Sequence, residues 1–143
     1  MESYARQNGN YSYIITDRHP QRNLVISETQ WTPRVIYSPE KEYLMIGGKS
    51  IPENAPSFYD PIINYIYQYK ITGKKRLCVH LNMEYFNTSS AKCLYNLFRV
   101  LNILRGHEIT VIINWFYEDE DLLEAGEDFA SFFNLNFNIL PLE

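Results

Sequence analysis

A chain of 143 residues that is 45% hydrophobic has the length and apolar content of one ordinary domain. A formal net charge of -4 argues against nucleic acid or an anionic membrane as partner, because both need a basic face to neutralise phosphates, and points to a protein or small molecule instead. The opening MESYARQNGNYSYIITDRHP has no charged lead before an apolar stretch of signal length, and no segment approaches about 18 uninterrupted apolar residues, so a cytoplasmic protein is expected.

Residues 1–23 are polar and read as a tail, with room for one added strand over Tyr11–Ile15; the domain proper is expected over 24–143. From Leu24 the runs LVIS, RVIY and EYLMIG carry β-branched and aromatic residues and are broken by Thr32-Pro33 and by Pro39–Glu42, which predicts three short strands. Gly47-Gly48 ends the third. Asn54 is placed to cap a helix in which Phe58, Ile62, Tyr65, Ile66 and Tyr69 follow at helical spacing, and Pro61 is expected to kink or restart it. Thr72-Gly73 closes that helix.

RLCVHLN then alternates Leu77, Val79 and Leu81 against Cys78, His80 and Asn82, the period of a strand. After the turn YFNTSS, the residues Leu94, Leu97, Phe98, Leu101 and Leu104 share one helical face that ends at Arg105-Gly106. EITVIINWFY is apolar on both alternations, which predicts a strand in the middle of a parallel sheet covered on both sides. EDEDLLEAGEDFASFF crowds carboxylates into a first helical turn and spaces Leu122, Phe129 and Phe133 along one face, and NFNIL reads as a last strand. The predicted fold is an α/β single-domain sandwich: a mixed, partly parallel central sheet flanked by about three helices. Strands near 76–82 and 108–116 should be parallel neighbours joined by a helix over 89–105.

In such a fold the turn at Thr88, Ser89 and Ser90 leaves the carboxyl end of a strand and enters a helix, at the sheet edge where α/β proteins usually meet ligands. Spacing alone favours helix capping by a hydroxyl, an effect of roughly 1 kcal/mol. One cap needs one hydroxyl, however. The sharper reading is a phosphorylation switch, in which a phosphate sits beside the free N–H groups of the helix start with Lys92 in the first turn.

Other chemistries are weaker. Cys78 and His80 share one side of their strand, but two ligands do not make a zinc site, and both Cys78 and Cys93 read as reduced core residues. His19, His80 and His107 read as tail, strand and loop residues. A small α/β hydrolase-like enzyme using a hydroxyl nucleophile at 88–90 is the alternative function, although the G-x-S-x-G elbow is missing. GGKS at 47–50 matches the end of a Walker A loop, but Tyr43 stands where its first glycine belongs. The seven carboxylates between Glu118 and Asp128 lack calcium-loop spacing and read as a solvated helix start. No cofactor and no metal is expected.

The stretches IGGKSIPENAPSFYDPI, LNMEYFNTSSAK and VIINWFYEDEDLLEAGEDF together resemble the SiaC family of bacterial regulatory phosphoproteins. The similarity runs from about Leu24 to the end, with Ile51 where the family commonly has an aromatic residue. The resemblance implies a fold similar to anti-sigma-factor antagonists (STAS-like) and a non-enzymatic partner-switch module. It implies binding to a SiaD-like diguanylate cyclase, phosphorylation by a dedicated SiaB-like serine/threonine kinase, and reversal by a SiaA-like metal-dependent phosphatase. The phosphorylated threonine of the family's NTSS turn corresponds to Thr88, in preference to Ser89 or Ser90. The expected partner surface is Asn87, Thr88, Ser89, Ser90 and Lys92 together with the segment Pro52, Glu53 and Asn54.

Overall fold

The computed structural model describes residues 21–143. The expected strand at Tyr11–Ile15, His19 and most of the expected tail lie outside the described residues. Gln21 is tied in: its amide donates to the Tyr65 carbonyl at 2.7 Å and accepts from the Tyr37 hydroxyl at 2.7 Å.

Six strands form one mixed sheet in sequence order: β1 (Leu24–Ile26), β2 (Arg34–Ser38), β3 (Tyr43–Ser50), β4 (Arg76–Phe86), β5 (Thr110–Tyr117) and β6 (Asn136–Pro141). β1, β2 and β3 are antiparallel neighbours, as their short links allow, and β3 to β6 are parallel. Each parallel step is made by a crossover helix: α1 (Ala55–Tyr67), followed by a 3₁₀ turn over Gln68–Ile71, then α2 (Thr88–Gly106) and α3 (Glu120–Phe132). The expected parallel pairing of the strands around 76–82 and 108–116 is present, with Leu77 opposite Val111 and Leu81 opposite Trp115.

Successive crossovers of one hand between adjacent strands deliver their helices to one face of a sheet. Burial obeys that rule. Val35, Tyr37, Leu44, Ile46, Leu77, Val79, Leu81, Val111, Ile113 and Trp115 are buried against the helices, which present Tyr59, Ile62, Ile66, Leu94, Leu97, Phe98, Leu101, Leu104 and Phe129. Most of the helix-spaced residues named from the sequence are therefore core, while Phe58, Tyr65 and Phe133 are only half-buried against it. Pro61 lies inside α1, which runs through it without a restart. It is exposed, and so is Ser57, whose carbonyl loses the helical N–H, so water can satisfy that group.

The covered-sheet expectation for β5 is corrected. Ile112, Asn114 and Phe116 point away from the helices and are only half-buried, as are Cys78 and His80 on β4. Both-sided apolar patterning reports two apolar faces, and here the chain's own helices cover one. Cys78 is for the same reason not a core residue, whereas Cys93 on α2 is; both are free thiols.

One irregularity sets how β4 ends. Gly48 pairs with Met83 and Lys49 with Tyr85, so Glu84 is an extra residue in β4. The bulge shifts the alternation by one. Phe86 consequently turns toward the helices, where its ring meets Trp115 and Phe129 with centroids 6.0 and 6.3 Å away.

Trp115 also explains the spacing of the WFYEDEDLLEAGE run. Its indole N–H donates to the Leu122 carbonyl in α3 at 2.9 Å, and the ring packs closely against Gly126. A methyl group at Gly126 would come within 2.5 Å of the ring carbon Cδ1. The glycine is required by close approach. We predict that Gly126→Ala lowers stability by about 1–3 kcal/mol, the usual range for overpacking, despite the better helix propensity of alanine. Thermal melts will check this, and a variant as stable as wild type would refute the packing account.

Candidate functional site at the carboxyl edge of the sheet

Because β3, β4 and β5 run parallel, the links that leave them all emerge at one edge: residues 51–54, Asn87, and Glu118-Asp119. The β1–β2 connection, residues 27–33, reaches the same edge because β2 runs the opposite way and starts where β3 ends. The Ile51 N–H donates to the Trp31 carbonyl at 2.8 Å and fixes that connection against the β3 exit.

Three helices begin here, each capped by an amide or carboxylate side chain. Asn54 accepts from the Ser57 N–H at 3.2 Å, Asn87 from the Ser90 N–H at 2.9 Å, and Asp119 from the Leu122 N–H at 2.9 Å. Asn54 thus caps as expected. At α2 none of the three hydroxyls caps: Asn87 does, so the capping reading of Thr88, Ser89 and Ser90 is corrected. The Asn87 backbone N–H meanwhile donates to the Ser50 carbonyl at 3.0 Å.

The three hydroxyls occupy different environments. Ser90 has 0% of its surface exposed. Its Oγ lies 2.8 Å from the Ser50 hydroxyl and 3.1 Å from the Ser50 carbonyl, and the Ser50 hydroxyl lies 2.7 Å from the Tyr59 hydroxyl. One proton per hydroxyl orders this run: Tyr59 donates to Ser50 Oγ, Ser50 to Ser90 Oγ, and Ser90 to the Ser50 carbonyl. Burial pushes the Tyr59 pKa up to about 12, partly offset by its hydrogen bond to Ser50, so it remains a donor at neutral pH. Ser89 is exposed and donates to the Asn87 side-chain oxygen at 3.2 Å. Thr88 is exposed and is the first residue of α2, and Lys92, also exposed, is four residues on along the same helical face.

Of the expected partner residues, Asn87, Thr88, Ser89, Lys92, Glu53 and Asn54 are brought to this edge with surface to offer, while Pro52 and Ser90 are buried within it. GGKS is not a phosphate loop: Gly47 to Ser50 are the last residues of β3, so the glycine pair does not end that strand as expected. Cys78 and His80, with Sγ and Nε2 3.7 Å apart, lie on the open sheet face, and among the described residues no group of three or more metal-ligating side chains gathers.

Sequence reading missed Trp31. It is exposed and, with Thr29, Thr32, Ile51, Pro52 and Glu53, lines a cleft of about 470 Å³ beside the β3 exit. The antiparallel order of the first three strands, read off the runs from Leu24, would have put this connection at the same edge.

Ser90 and Thr88 should therefore respond in opposite ways. Ser90→Ala leaves the Ser50 hydroxyl without its buried acceptor and should cost about 1–3 kcal/mol, seen as a melting temperature several degrees lower. Thr88→Ala should stay within about 0.5 kcal/mol of wild type, as exposed substitutions do. Equal melting temperatures for the two variants would contradict the assignment.

Comparison with known proteins agrees with this architecture. The model of the SiaC family regulatory phosphoprotein matches residues 26–142. A protein of Pseudomonas aeruginosa (strain UCBPP-PA14) described as uncharacterized is 28% identical over 109 residues, covering 75% of this chain and 86% of that one. The structure of SiaC of Pseudomonas aeruginosa superposes with a TM-score of 0.78 at 26% identity, covering 84% of this chain and 98% of the other. The same fold is found in the crystal structure of the diguanylate cyclase SiaD in complex with its activator SiaC from Pseudomonas aeruginosa, with a TM-score of 0.78, 26% identity, and 83% and 99% coverage. With 117 consecutive residues, 26 to 142, matched by the family model and the same sheet and helices in solved members, the chain belongs to the SiaC family of regulatory phosphoproteins.

Proposed function

We propose that this chain is a non-enzymatic switch that binds a diguanylate cyclase through the carboxyl edge of its sheet and is controlled by phosphorylation of Thr88. The observation that carries the reading is the split among the three hydroxyls. Thr88 stands free in solvent at the first position of α2, whereas Ser90 is consumed by the buried run to Ser50 and Tyr59. A kinase must pull its acceptor hydroxyl into its own active site, and only an exposed side chain allows that without unfolding the helix start.

The local chemistry suits a phosphate. Asn87 already satisfies the Ser90 N–H with its side chain and the Ala91 N–H with its carbonyl at 2.9 Å. Among the described residues this leaves the N–H groups of Thr88 and Ser89 at the positive end of the helix dipole, with Lys92 one turn on. The isolated domain thus loses little on modification. A partner that covers the turn loses much, because a phosphate buried without compensation is expensive. In this reading a serine/threonine kinase and a metal-dependent phosphatase set the modification, and the relative's complex with SiaD supplies the class of output partner.

The test is a binding titration against the candidate cyclase of wild type, Thr88→Ala, Thr88→Asp and protein phosphorylated with a candidate kinase and ATP, with thermal melts of each. Phosphoprotein and Thr88→Asp should melt close to wild type yet bind about a thousandfold more weakly, roughly 4 kcal/mol. Thr88→Ala should bind normally and resist the kinase. Phosphoprotein that binds as tightly as unmodified protein would sink the mechanism, and phosphopeptides carrying the group on Ser90 would sink the choice of residue.

A further inference from the structure

The connection between β1 and β2 is a tightly bonded turn that carries an exposed tryptophan. Thr29 organises it: its hydroxyl accepts from the N–H groups of Trp31 at 3.0 Å and Thr32 at 2.9 Å and bonds the Thr32 hydroxyl at 2.7 Å, while its own N–H donates to the Thr32 carbonyl at 3.0 Å. The Ile51 N–H then clamps the Trp31 carbonyl to the β3 exit. Trp31 nevertheless keeps 54% of its surface exposed, whereas the chain's other tryptophan, Trp115, is fully buried. A large aromatic ring left in water on a fixed backbone suits an interface anchor, because little of that backbone remains to be ordered when a partner arrives.

We infer that the cleft beside Trp31 receives an apolar side chain of the diguanylate cyclase, with the indole as its anchor; this rests on the proposed docking of the cyclase at the carboxyl edge. Two observations select that occupant. The first is chemical: Trp31, Ile51 and Pro52 give the cleft mostly apolar walls, the hydroxyls of Thr29 and Thr32 are bonded to each other, and Glu53 is the one charged residue in the lining. A polar or anionic group placed here would lose its water for little return, and a cation would find only the exposed Glu53, a weak partner in solvent. An apolar side chain gains by leaving water. The second observation is position. Ser50 and Ile51 are consecutive, and the Ser50 carbonyl holds the Asn87 N–H at 3.0 Å while the Ile51 N–H holds the Trp31 carbonyl at 2.8 Å. That path of two hydrogen bonds and a few covalent bonds keeps the backbones of Trp31 and Thr88 within roughly 15 Å, and an interface of ~800 Å² per partner is roughly 30 Å across. A partner centred on the Thr88 turn therefore reaches Trp31 as well.

The test labels the full-length chain with 5-fluorotryptophan, which gives one fluorine resonance for Trp31 and one for Trp115 while the unlabelled candidate cyclase stays silent. In the free chain the Trp31 resonance should move between light and heavy water, and the Trp115 resonance should not. Cyclase should shift the Trp31 resonance and abolish that solvent dependence. In titrations, Trp31→Ala should weaken cyclase binding at least about thirtyfold and Trp31→Phe less than about tenfold, both melting within about 3 °C of wild type. A Trp31 resonance still open to solvent in the complex, or a folded Trp31→Ala chain that binds as tightly as wild type while Thr88→Asp does not, overturns this inference alone. Phosphoprotein and Thr88→Asp that bind as tightly as wild type while Trp31→Ala does not would instead overturn the phosphorylation reading and uphold this one. A Trp31 resonance shielded from solvent in the free chain, or shifting with the chain's own concentration, would give the cleft to another part of the chain or to a second copy and overturn the proposal.

Discussion

Ser50 ties one strand end to the starts of two helices. It ends β3, its hydroxyl bonds Tyr59 of α1 and Ser90 of α2, and its carbonyl accepts from both the Asn87 N–H and the Ser90 hydroxyl. Two helix starts are thereby held to one strand end by groups from which water is excluded. Each of these polar atoms would cost about 1–3 kcal/mol if stranded, so the edge has one low-energy arrangement. The bulge at Glu84 is part of the same device, since without the extra residue Asn87 would not leave the core after Phe86 in register with Ser50.

Helical geometry then separates a buried hydroxyl from an exposed one within three residues. Successive α-helical residues turn by about 100°, so Thr88 and Ser90 point roughly 200° apart. Ser90 must face the sheet if it bonds Ser50, and Thr88 must then face solvent. In the proposed switch the turn would take a bulky charged group on one side while the other side stays committed, so that modification would alter association and leave folding nearly untouched. Asn87 contributes by capping the helix itself, which frees the exposed hydroxyls from that role.

The remaining architecture is one-sided. Trp115 anchors α3 by its bond to the Leu122 carbonyl and its contact with Gly126, and the aromatic rings of Phe86, Phe98, Phe129 and Phe137 pack around the same indole. The three helices spend most of their apolar surface on that side, with Tyr95 and Phe132 left exposed. The opposite face keeps its own half-buried centre around His80 and Phe116, which differs in kind from the capped edge with exposed Trp31 and Thr88.

Much of this was determined by the sequence alone. The alternation in RLCVHLN, the helical spacing of Leu94, Leu97, Phe98, Leu101 and Leu104, and the Gly and Pro breaks dictate strands and helices because those periods admit one element each, and the order of the elements dictates parallel crossovers. Asn54 as a cap was legible for the same local reason, and the NTSS turn and the PEN segment were legible as motifs. Tertiary structure alone decided the rest. That β5 is covered on one side depends on where the crossover helices land, which no local pattern encodes. That Ser90 is a buried bonding partner while Thr88 is free depends on Ser50, forty residues away in the chain. Trp31 joins the site because an antiparallel pairing carries its turn to the edge where β3 ends, and a strand pairing is a property of two segments that neither holds by itself.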